Sequence, residues 1–404
     1  MFMQNTDILI SGAGIAGPAL AYLLHERGFT PTVVERAPSP RTGGQAVDLR
    51  GAGRTVIERM GLMDRVRDVA LSQRGIAFVG PTGTVDARVA TDAFGGEGFV
   101  SEIEVLRGDL GQLLYEATAA QVEYLFDDTI TALVQDDDGV DVTFENAAPR
   151  RFALVIGADG LHSRVRSLAF GAEAECVRPL HCYTAWFTAP ATTDLDGWYL
   201  MHNAPGGLVA SVRPGRLPGE AKVGFSFRST ALDYDRRDIP AQKKIIAERF
   251  AQDGWLTPGL LDSMGAASDF YLDSMGQVHL EHWHRGRVAL LGDAGYCPTP
   301  LTGLGTSLAL VGAWVLAGEL GDAAGDARMA FPRYEEIMRP YVKQGQQLAP
   351  GGVASYAPTG ALRIALRNAS MRWMTRWPMR PLMVKQFAKA GEITLPEYDR
   401  VAAH

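Results

Sequence analysis

The fold is decided by residues 7–24, DILISGAGIAGPALAYLL, and by residues 33–36, VVER. A first apolar run ends at Gly12-x-Gly14-x-x-Gly17, a helical pattern rich in Ala and Leu follows, and a second apolar run ends in an acidic residue. This order predicts a strand, a helix and a second strand, with the glycines at the first turn. The stretch therefore predicts a βαβ unit that binds a dinucleotide.

Each motif residue has a physical reason. Gly12 permits the tight turn, Gly14 lets a pyrophosphate approach the backbone, and Gly17 lets the helix pack closely on the strand. The helix begins at Ile15 and Ala16, where free N–H groups and the positive end of the helix dipole attract phosphate. We therefore expect these five residues to contact the cofactor.

Glu35 stands 18 residues after Gly17, at the end of the second apolar run. A carboxylate there can accept hydrogen bonds from both ribose hydroxyls and would repel a 2′-phosphate. An ordinary βαβ turn without a ligand is the alternative, but the flanking strands, helix and acid at this spacing disfavour it. The ligand is therefore predicted to be an adenine dinucleotide.

Composition and charge narrow the class of protein. A chain of 404 residues exceeds the size at which one core keeps growing, so two domains are expected. Hydrophobic residues make up 47% and the net charge is −7, which favour a globular protein without affinity for nucleic acid. Three cysteines without a CxxC pair, and a strand beginning near residue 7, favour a cytoplasmic location without disulfides or a signal peptide.

The pattern of apolar and polar residues divides the chain into regions. Residues 76–89 predict a hairpin, and residues 179–275 alternate in a β-type pattern with many aromatics and one helix near 242–250. The predicted fold is α/β, a Rossmann-type nucleotide-binding domain with an inserted mixed β-sheet substrate domain and a C-terminal helix. The predicted boundaries are 1–75, 98–178 and 276–345 for the nucleotide domain, 76–97 and 179–275 for the substrate domain, and 346–404 for the helical segment.

Two further motifs follow apolar strands. Gly157-x-Asp159-Gly160 and Gly292-Asp293 each stand at a predicted strand end, so both carboxylates are expected in the crevice that the first motif faces. A loop at residues 298–305 then leads into an apolar helix. Its backbone N–H groups and the positive helix end can support negative charge on a bound ring.

Three polar side chains on loops are candidates for ligand contact. Arg41 and Asp48 flank a Gly-Gly pair that would permit close approach to a flat ring, and Arg107 directly precedes a helix. For each arginine a solvated surface charge is an equally good interpretation.

Other patterns have plainer explanations. The histidines of residues 279–284 do not have zinc spacing, so no metal site is predicted. Residues 294–318 carry no charge, but their prolines and glycines favour a buried helix over a membrane span. Residues 361–389 are helical and basic with Met and Trp interleaved. Packing over the domain junction is favoured there over a membrane-surface helix.

Three motifs now stand in order, Gly12-x-Gly14-x-x-Gly17 with its acid, Gly157-x-Asp159-Gly160, and Gly292-Asp293. Together they resemble the class A flavoprotein monooxygenases, the FAD-dependent aromatic hydroxylases with a para-hydroxybenzoate hydroxylase-like fold. The resemblance spans roughly residues 5–320. The loops at 43–48 and 298–305 resemble those of the branch that contains tetracycline-inactivating and polyketide-tailoring enzymes.

The resemblance implies roles for particular residues. Glu35 would hold the FAD ribose with Arg36 beside the adenine, while Arg107 would contact the FAD and Asp48 would lie near the flavin. Arg41 would meet the reduced nicotinamide nucleotide. The remaining implied cofactor contacts are Asp159 for both FAD and NAD(P)H, Asp293 for the ribityl or pyrophosphate, and Pro298 with the backbone of Gly303, Leu304 and Gly305 for the flavin ring.

The chain departs from the family pattern at Tyr296, where His is usual, and at Gly312, where Asp is usual. It has one dinucleotide fingerprint, which agrees with a class in which NAD(P)H has no Rossmann domain of its own. The CxxxxC of disulfide reductases and the WxWxIP of flavin halogenases are both missing from the sequence.

The resemblance implies hydroxylation of a bulky aromatic or polyketide-like small molecule, such as an antibiotic, by O2 and NAD(P)H through a flavin C4a-hydroperoxide. No side-chain nucleophile or base is required, so no catalytic residue is assigned. The substrate would lie between flavin and substrate sheet, in a monomer or weak dimer without membrane insertion. A reductase or a non-catalytic flavin-binding protein is the alternative. Candidate substrate contacts are Trp198, Met201, Phe225, Pro298 and Leu301.

Overall fold

The computed structural model describes residues 4–41, 43–96, 98, 100–376, 379–382, 384 and 393–398. The strands are β1 (Asp7–Ser11), β2 (Thr30–Glu35), β3 (Ala46–Asp48), β4 (Gly75–Val79), β5 (Val85–Ala90), β6 (Glu104–Leu106), β7 (Glu123–Phe126), β8 (Ile130–Gln135), β9 (Val140–Phe144), β10 (Arg150–Phe152), β11 (Leu154–Gly157), β12 (Val177–Pro190), β13 (Trp198–Ala204), β14 (Leu208–Pro214), β15 (Glu220–Arg228), β16 (Tyr271–Val278), β17 (His284–Arg285) and β18 (Val288–Leu290).

The helices are α1 (Ala16–His25), α2 (Gly51–Arg59), α3 (Met63–Asp68), α4 (Arg107–Glu116), α5 (Arg164–Ala169), α6 (Glu173–Cys176), α7 (Ile239–Phe250), α8 (Thr257–Ala266), α9 (Asp293–Tyr296), α10 (Gly305–Asp322), α11 (Ala327–Gly345), α12 (Gly352–Tyr356) and α13 (Ala361–Met374). Short 3-10 turns lie at Thr91–Phe94 and Pro300–Thr302.

A six-stranded sheet in the order β17-β18-β11-β1-β2-β7 carries all three motifs. Its strands are parallel except for β17. The predicted βαβ unit is confirmed as β1-α1-β2, and α10 packs beside α1 with almost every residue buried. The ends of β1, β11 and β18 therefore meet at one edge, as expected.

The second large sheet has seven strands in the order β16-β12-β15-β14-β13-β4-β5. The predicted hairpin at 76–89 is confirmed as β4 and β5, and β4 joins β13 in parallel. One face of the sheet packs on α7 and α8, and we call it the α7/α8 side. The other face contacts α12, where the Tyr356 hydroxyl bonds Ser226 Oγ at 2.9 Å, and we call it the α12 side.

Strand alternation sorts the predicted substrate contacts between these two sides. Phe225 packs on Phe250 with ring centroids 4.6 Å apart, and Trp198 lines a cavity of about 390 Å³ together with Trp255, both on the α7/α8 side. Successive residues of a strand point to opposite faces, and Trp198 and Met201 are three residues apart in β13, so their side chains lie on opposite faces. Met201 packs on the α12 side, away from both Trp198 and Phe225. The predicted substrate contacts are therefore divided between the two sides of the sheet, and those at Phe225, Trp198 and Met201 stay predictions.

The remaining segments pack around these two sheets. Strands β8, β9 and β10 form a separate antiparallel sheet, and α13 packs on β5. Of the C-terminal side chains expected to be buried, Met371 and Met374 contact the core on the α12 side but Trp373 is 63% exposed. The predicted C-terminal residues Trp377, Met383, Lys385 and Lys389 lie outside the described residues.

Two absences hold for the described ranges. No helix there has the length and apolar character needed to cross a bilayer. No cluster of three His, Cys, Asp or Glu side chains suited to a metal ion occurs there either. In the histidine-rich segment, His282 and His284 instead face Glu335, at 3.2 and 3.8 Å.

We predict that Phe225→Ala lowers the free energy of unfolding by about 3–5 kcal/mol, because it empties a closed aromatic core. Urea denaturation of the purified variant measures this change. A loss below about 1 kcal/mol would contradict the core assignment, since an open cavity wall can be truncated at that cost.

Candidate functional site

The first motif leaves no room for side chains. Gly12 has φ of +105°, and a Cβ there would lie 2.6 Å from the carbonyl oxygen of Ala158. A Cβ on Gly17 would lie 1.9 Å from the Gly12 oxygen. Only glycine permits this turn and this close approach of α1 to the strand ends.

The N-terminus of α1 is open to an anion. It has no capping side chain and no acidic residue in its first turn. Its first N–H groups are therefore not occupied by a cap or by a neighbouring carboxylate. The side chain that comes nearest is Arg107, whose guanidinium would lie 3.4 Å from a Cβ on Gly14. Backbone donors and a cation thus flank a narrow passage, which suits a pyrophosphate.

Glu35 lies at the end of β2 beside that turn. The N–H groups of Ala13 and Ala37 donate to its two carboxylate oxygens at 2.8 and 2.9 Å, and Arg41 pairs with it at 3.1 Å. Burial alone would raise the pKa of Glu35, but these bonds and the Arg41 charge lower it. Glu35 is therefore a fixed anion at the predicted ribose position, while Arg36 is exposed.

Asp159 is occupied by contacts within the chain. One carboxylate oxygen accepts from the Ser163 hydroxyl, and the other accepts from the N–H groups of Arg164 and Val165 and from Ser11 Oγ. Burial raises the pKa of Asp159, and these hydrogen bonds oppose the rise. Its evident role is to fix the start of α5 to the end of β1, and its contact with nucleotides stays a prediction.

Asp293 stands at the floor of the crevice. Its side chain is accessible to solvent from the crevice, and protein atoms surround it on the other sides. This partial desolvation raises the pKa of Asp293, and the Arg107 charge opposes the rise. The sequence reasoning missed Arg166, which is 1% exposed and donates to the carbonyls of Ala294 and Leu161 at 2.9 and 2.6 Å. Arg166 thereby ties the second motif to the third.

The loop at residues 298–305 contains strained and unsatisfied groups. Thr299 has φ of +80°, and its buried Oγ1 has no hydrogen-bond partner within the described ranges. Gly303 has φ of +65°, and a Cβ there would lie 2.9 Å from Asp48 Oδ2. Held strain and an orphaned hydroxyl are typical of a ligand-binding loop.

The same loop leads into the N-terminus of α10. Pro298 is buried and its carbonyl accepts from Gln277 at 3.1 Å, whereas Leu301 is half-buried in the 3-10 turn. Helix α10 follows Leu304 and has neither a capping side chain nor an acidic residue in its first turn. A Cβ placed on Gly305 would lie 3.8 Å from Asp293 Oδ1. A second open helix end therefore faces the crevice.

A buried charge cluster lies between this loop and the α12 side. Asp48 pairs with Arg50 at 3.0 Å, and Glu104, directly opposite Asp48 in the β3–β6 pair, contacts Arg213. Burial raises the pKa of Glu104 to about 8, with Asp48 adding to the rise and Arg213 opposing it. Burial therefore favours the neutral form of Glu104 within this cluster.

Polar side chains missed by the sequence reasoning extend from this cluster across the α12 side. The Arg213 guanidinium lies 4.7 Å from the Tyr199 ring centroid, and Tyr199 also interacts with Ser211. Burial raises the pKa of Tyr199, and both neighbours oppose the rise. The available signal was the two-residue spacing of Ser211 and Arg213 within an otherwise apolar strand.

The two departures from the family pattern are explained by one contact. The hydroxyl of Tyr296 bonds that of Tyr334 at 2.9 Å, and Tyr334 donates to the Leu290 carbonyl at 3.1 Å. A Cβ on Gly312 would lie only 2.1 Å from the Tyr296 hydroxyl. Tyrosine at 296 thus requires glycine at 312, and both residues lie behind the crevice.

A further network joins the two sheets. His162 Nδ1 lies 2.9 Å from Glu173, and its Nε2 lies 2.9 Å from Asp273 of β16. Burial alone would lower the pKa of His162, but the hydrogen bonds and charges of these two carboxylates raise it to about 9. His162 is therefore a cation at neutral pH that holds β16 to the second motif.

We predict that Gly312→Ala is destabilising by about 1–3 kcal/mol, because the new methyl group overlaps the Tyr296 hydroxyl. Tyr296→Phe removes that oxygen, so the double variant should lose less stability than the two single changes summed. Thermal unfolding of all four proteins measures the coupling. Additive effects would contradict the proposed contact.

We also predict a pH-dependent contribution of His162. Its pKa is raised on folding, so its stabilisation is complete below about pH 6.5 and is lost as pH rises through about 9. The difference in Tm between the wild type and His162→Gln should therefore shrink across this window. A difference that stays constant from pH 6 to pH 10 would exclude a charged His162.

Comparisons with known proteins agree with this geometry. The FAD binding domain family matches residues 5–348. A flavin-dependent monooxygenase from an unknown prokaryotic organism is 42% identical over 85% of this chain and 88% of its own length. The FAD-dependent monooxygenase asL4 of Sarocladium schorii is 34% identical over 98% of this chain and 96% of its own.

A solved structure extends the likeness to three dimensions. The crystal structure of tetracycline destructase Tet(55) superposes with a TM-score of 0.81 at 37% identity, covering 98% of this chain and 100% of that one. The motifs, the crevice and both sheets fall within the matched ranges. The chain therefore belongs to the FAD-dependent monooxygenase family.

Proposed function

We propose that the chain uses NAD(P)H and O2 to hydroxylate a bulky aromatic or polyketide-like molecule that carries an acidic phenol or enol oxygen. The observation that carries this proposal is the group of polar side chains Tyr199, Ser211 and Arg213 on the α12 side, which Glu104 and Asp48 link to the loop at 298–305. Met201 and Leu301 supply apolar area beside it.

FAD would be held by the open N-terminus of α1, with Glu35 at the ribose and Arg107 at the pyrophosphate. Asp293 and the N-terminus of α10 would hold the ribityl chain and the ring. Bound FAD supplies the redox chemistry, accepting hydride from the nicotinamide nucleotide and activating O2. The chain's own residues bind, orient and keep water from the reacting atoms.

Charge favours a substrate with an acidic oxygen. The cluster holds two guanidinium groups, Arg50 and Arg213, against Asp48 and Glu104, and burial favours the neutral form of Glu104. Its net charge is then positive, and it lies in a low-dielectric interior where an anionic oxygen is attracted strongly. A phenolate or enolate ring carbon is also electron-rich, as hydroxylation by this class requires.

One comparison supports the substrate size. Tet(55) is a tetracycline destructase, and tetracyclines are polycyclic molecules with phenol and enol oxygens.

For the reductant, the described crevice has one adenine-dinucleotide fingerprint, which FAD would fill. NAD(P)H would then bind transiently near Arg41, whose side chain is half exposed beside Glu35.

The test is aerobic oxidation of NADPH and of NADH by the FAD-loaded protein with tetracyclines, anthracyclines, rifamycins and simple phenols. The expected result is stimulation by one polycyclic class and incorporation of one labelled oxygen atom from O2 into its product. Oxidation that persists without O2 and yields a reduced product would identify a reductase. A yellow protein that no compound stimulates would overturn the substrate class.

We predict that Arg213→Met raises KM for the stimulating compound by about 10- to 100-fold, because a charged hydrogen bond to the substrate is lost. Arg213→Met/Glu104→Gln should have a similarly raised KM without leaving a carboxylate unpaired. Arg216→Met is the matched control, since Arg216 is half exposed and pairs with Asp109. An unchanged KM in the double variant would exclude Arg213 from the substrate site.

A further inference from the structure

Helix α13 presents polar side chains to the protein. The Asn368 amide donates to Asp86 Oδ2 at 2.8 Å, and Arg372 donates to the Asp86 carbonyl at 3.2 Å. Arg367 donates to Asn203 Oδ1 and lies 4.3 Å from the Phe78 ring centroid. Asn368 is the residue of this helix that is most deeply buried.

The opposite side of α13 presents large apolar side chains to solvent. Leu362, Leu366 and Trp373 are 73%, 61% and 63% exposed, and Ala369 completes their i, i+4, i+7, i+11 spacing. This spacing places them on one line, about 16 Å long. A surface helix ordinarily turns its apolar line toward the core; α13 packs Met371 and Met374 on the core and in addition leaves this second apolar line exposed. An exposed apolar stripe of this kind marks an interaction surface.

Basic side chains border the stripe. By the helical period, Arg363 and Arg372 lie on its two sides, and Arg376 and Arg380 follow. Residues 345–391 contain no Asp or Glu, although the whole chain has a net charge of −7. The outward side of α13 is thus apolar along its centre and positive at its borders.

We propose that this side of α13 binds the anionic surface of a lipid bilayer. Leu362, Leu366 and Trp373 would enter the boundary between headgroups and acyl chains, and the bordering arginines would contact lipid phosphates. A second copy of this chain fits less well, because a two-fold interface would set the same arginines against each other without an acidic residue to pair. Leu362, Leu366 and Trp373 are not among the proposed cofactor or substrate contacts, so the proposal does not depend on the proposed function.

The experiment is co-sedimentation of the full FAD-loaded chain with vesicles of phosphatidylglycerol and phosphatidylethanolamine, and with vesicles of phosphatidylcholine alone. We expect binding to the anionic vesicles that weakens with added salt, and little binding to phosphatidylcholine. Leu362→Gln/Leu366→Gln/Trp373→Gln should lower the partition coefficient by roughly tenfold or more. Arg363→Gln/Arg376→Gln should lower it by roughly tenfold, since each basic residue near the surface strengthens binding.

Val134→Gln/Leu217→Gln is the matched control, because these side chains are 66% and 62% exposed elsewhere on the chain. It should bind vesicles as the wild type does. Flavin absorbance and circular dichroism establish that every variant is folded. Equal binding by the wild type and the triple variant would overturn the proposal. So would a dimer, seen by light scattering, that the triple variant abolishes while vesicles stay unbound.

Discussion

The close approach of backbone to backbone at the ends of β1, β11 and β18 is the constraint on which the site depends. Gly12 can neither carry a Cβ against Ala158 nor leave its positive φ, and Gly17 cannot carry one against Gly12. Because these contacts fix α1 on the strand ends, its unpaired N–H groups open into the crevice. Arg166 and Asp159 then hold the other two motifs at the same edge.

The substrate domain depends on a second constraint, the two-residue period of its strands. Aromatic side chains such as Phe225 turn toward α7 and α8, where they form a closed core. The polar residues Ser211, Arg213 and Ser226 turn toward α12 and the loop at 298–305. One sheet thus carries a closed apolar core on one side and a group of buried polar side chains on the other.

The nucleotide half could be predicted from sequence because its signals are local. Glycine spacing, a helix start and an acid at a strand end act within about forty residues of chain. The α12 side could not be predicted in the same way. Which side of the sheet Trp198 and Met201 face depends on strand register, and a shift of one residue exchanges the two faces. Arg166 and Glu104 were missed because their partners lie far away in sequence.

Tyr296 and Gly312 show how two departures from a family pattern can depend on each other. Taken singly, each replaces a polar residue and invites an interpretation of lost function. Taken together, they are one packing solution, since the Tyr296 hydroxyl occupies the space that a side chain at 312 would need and finds its hydrogen bond on Tyr334. The hydrogen bonds of Tyr296 run through Tyr334 to the Leu290 carbonyl, behind the crevice. A site is therefore better judged by the groups that face its ligand than by the identity of those behind them.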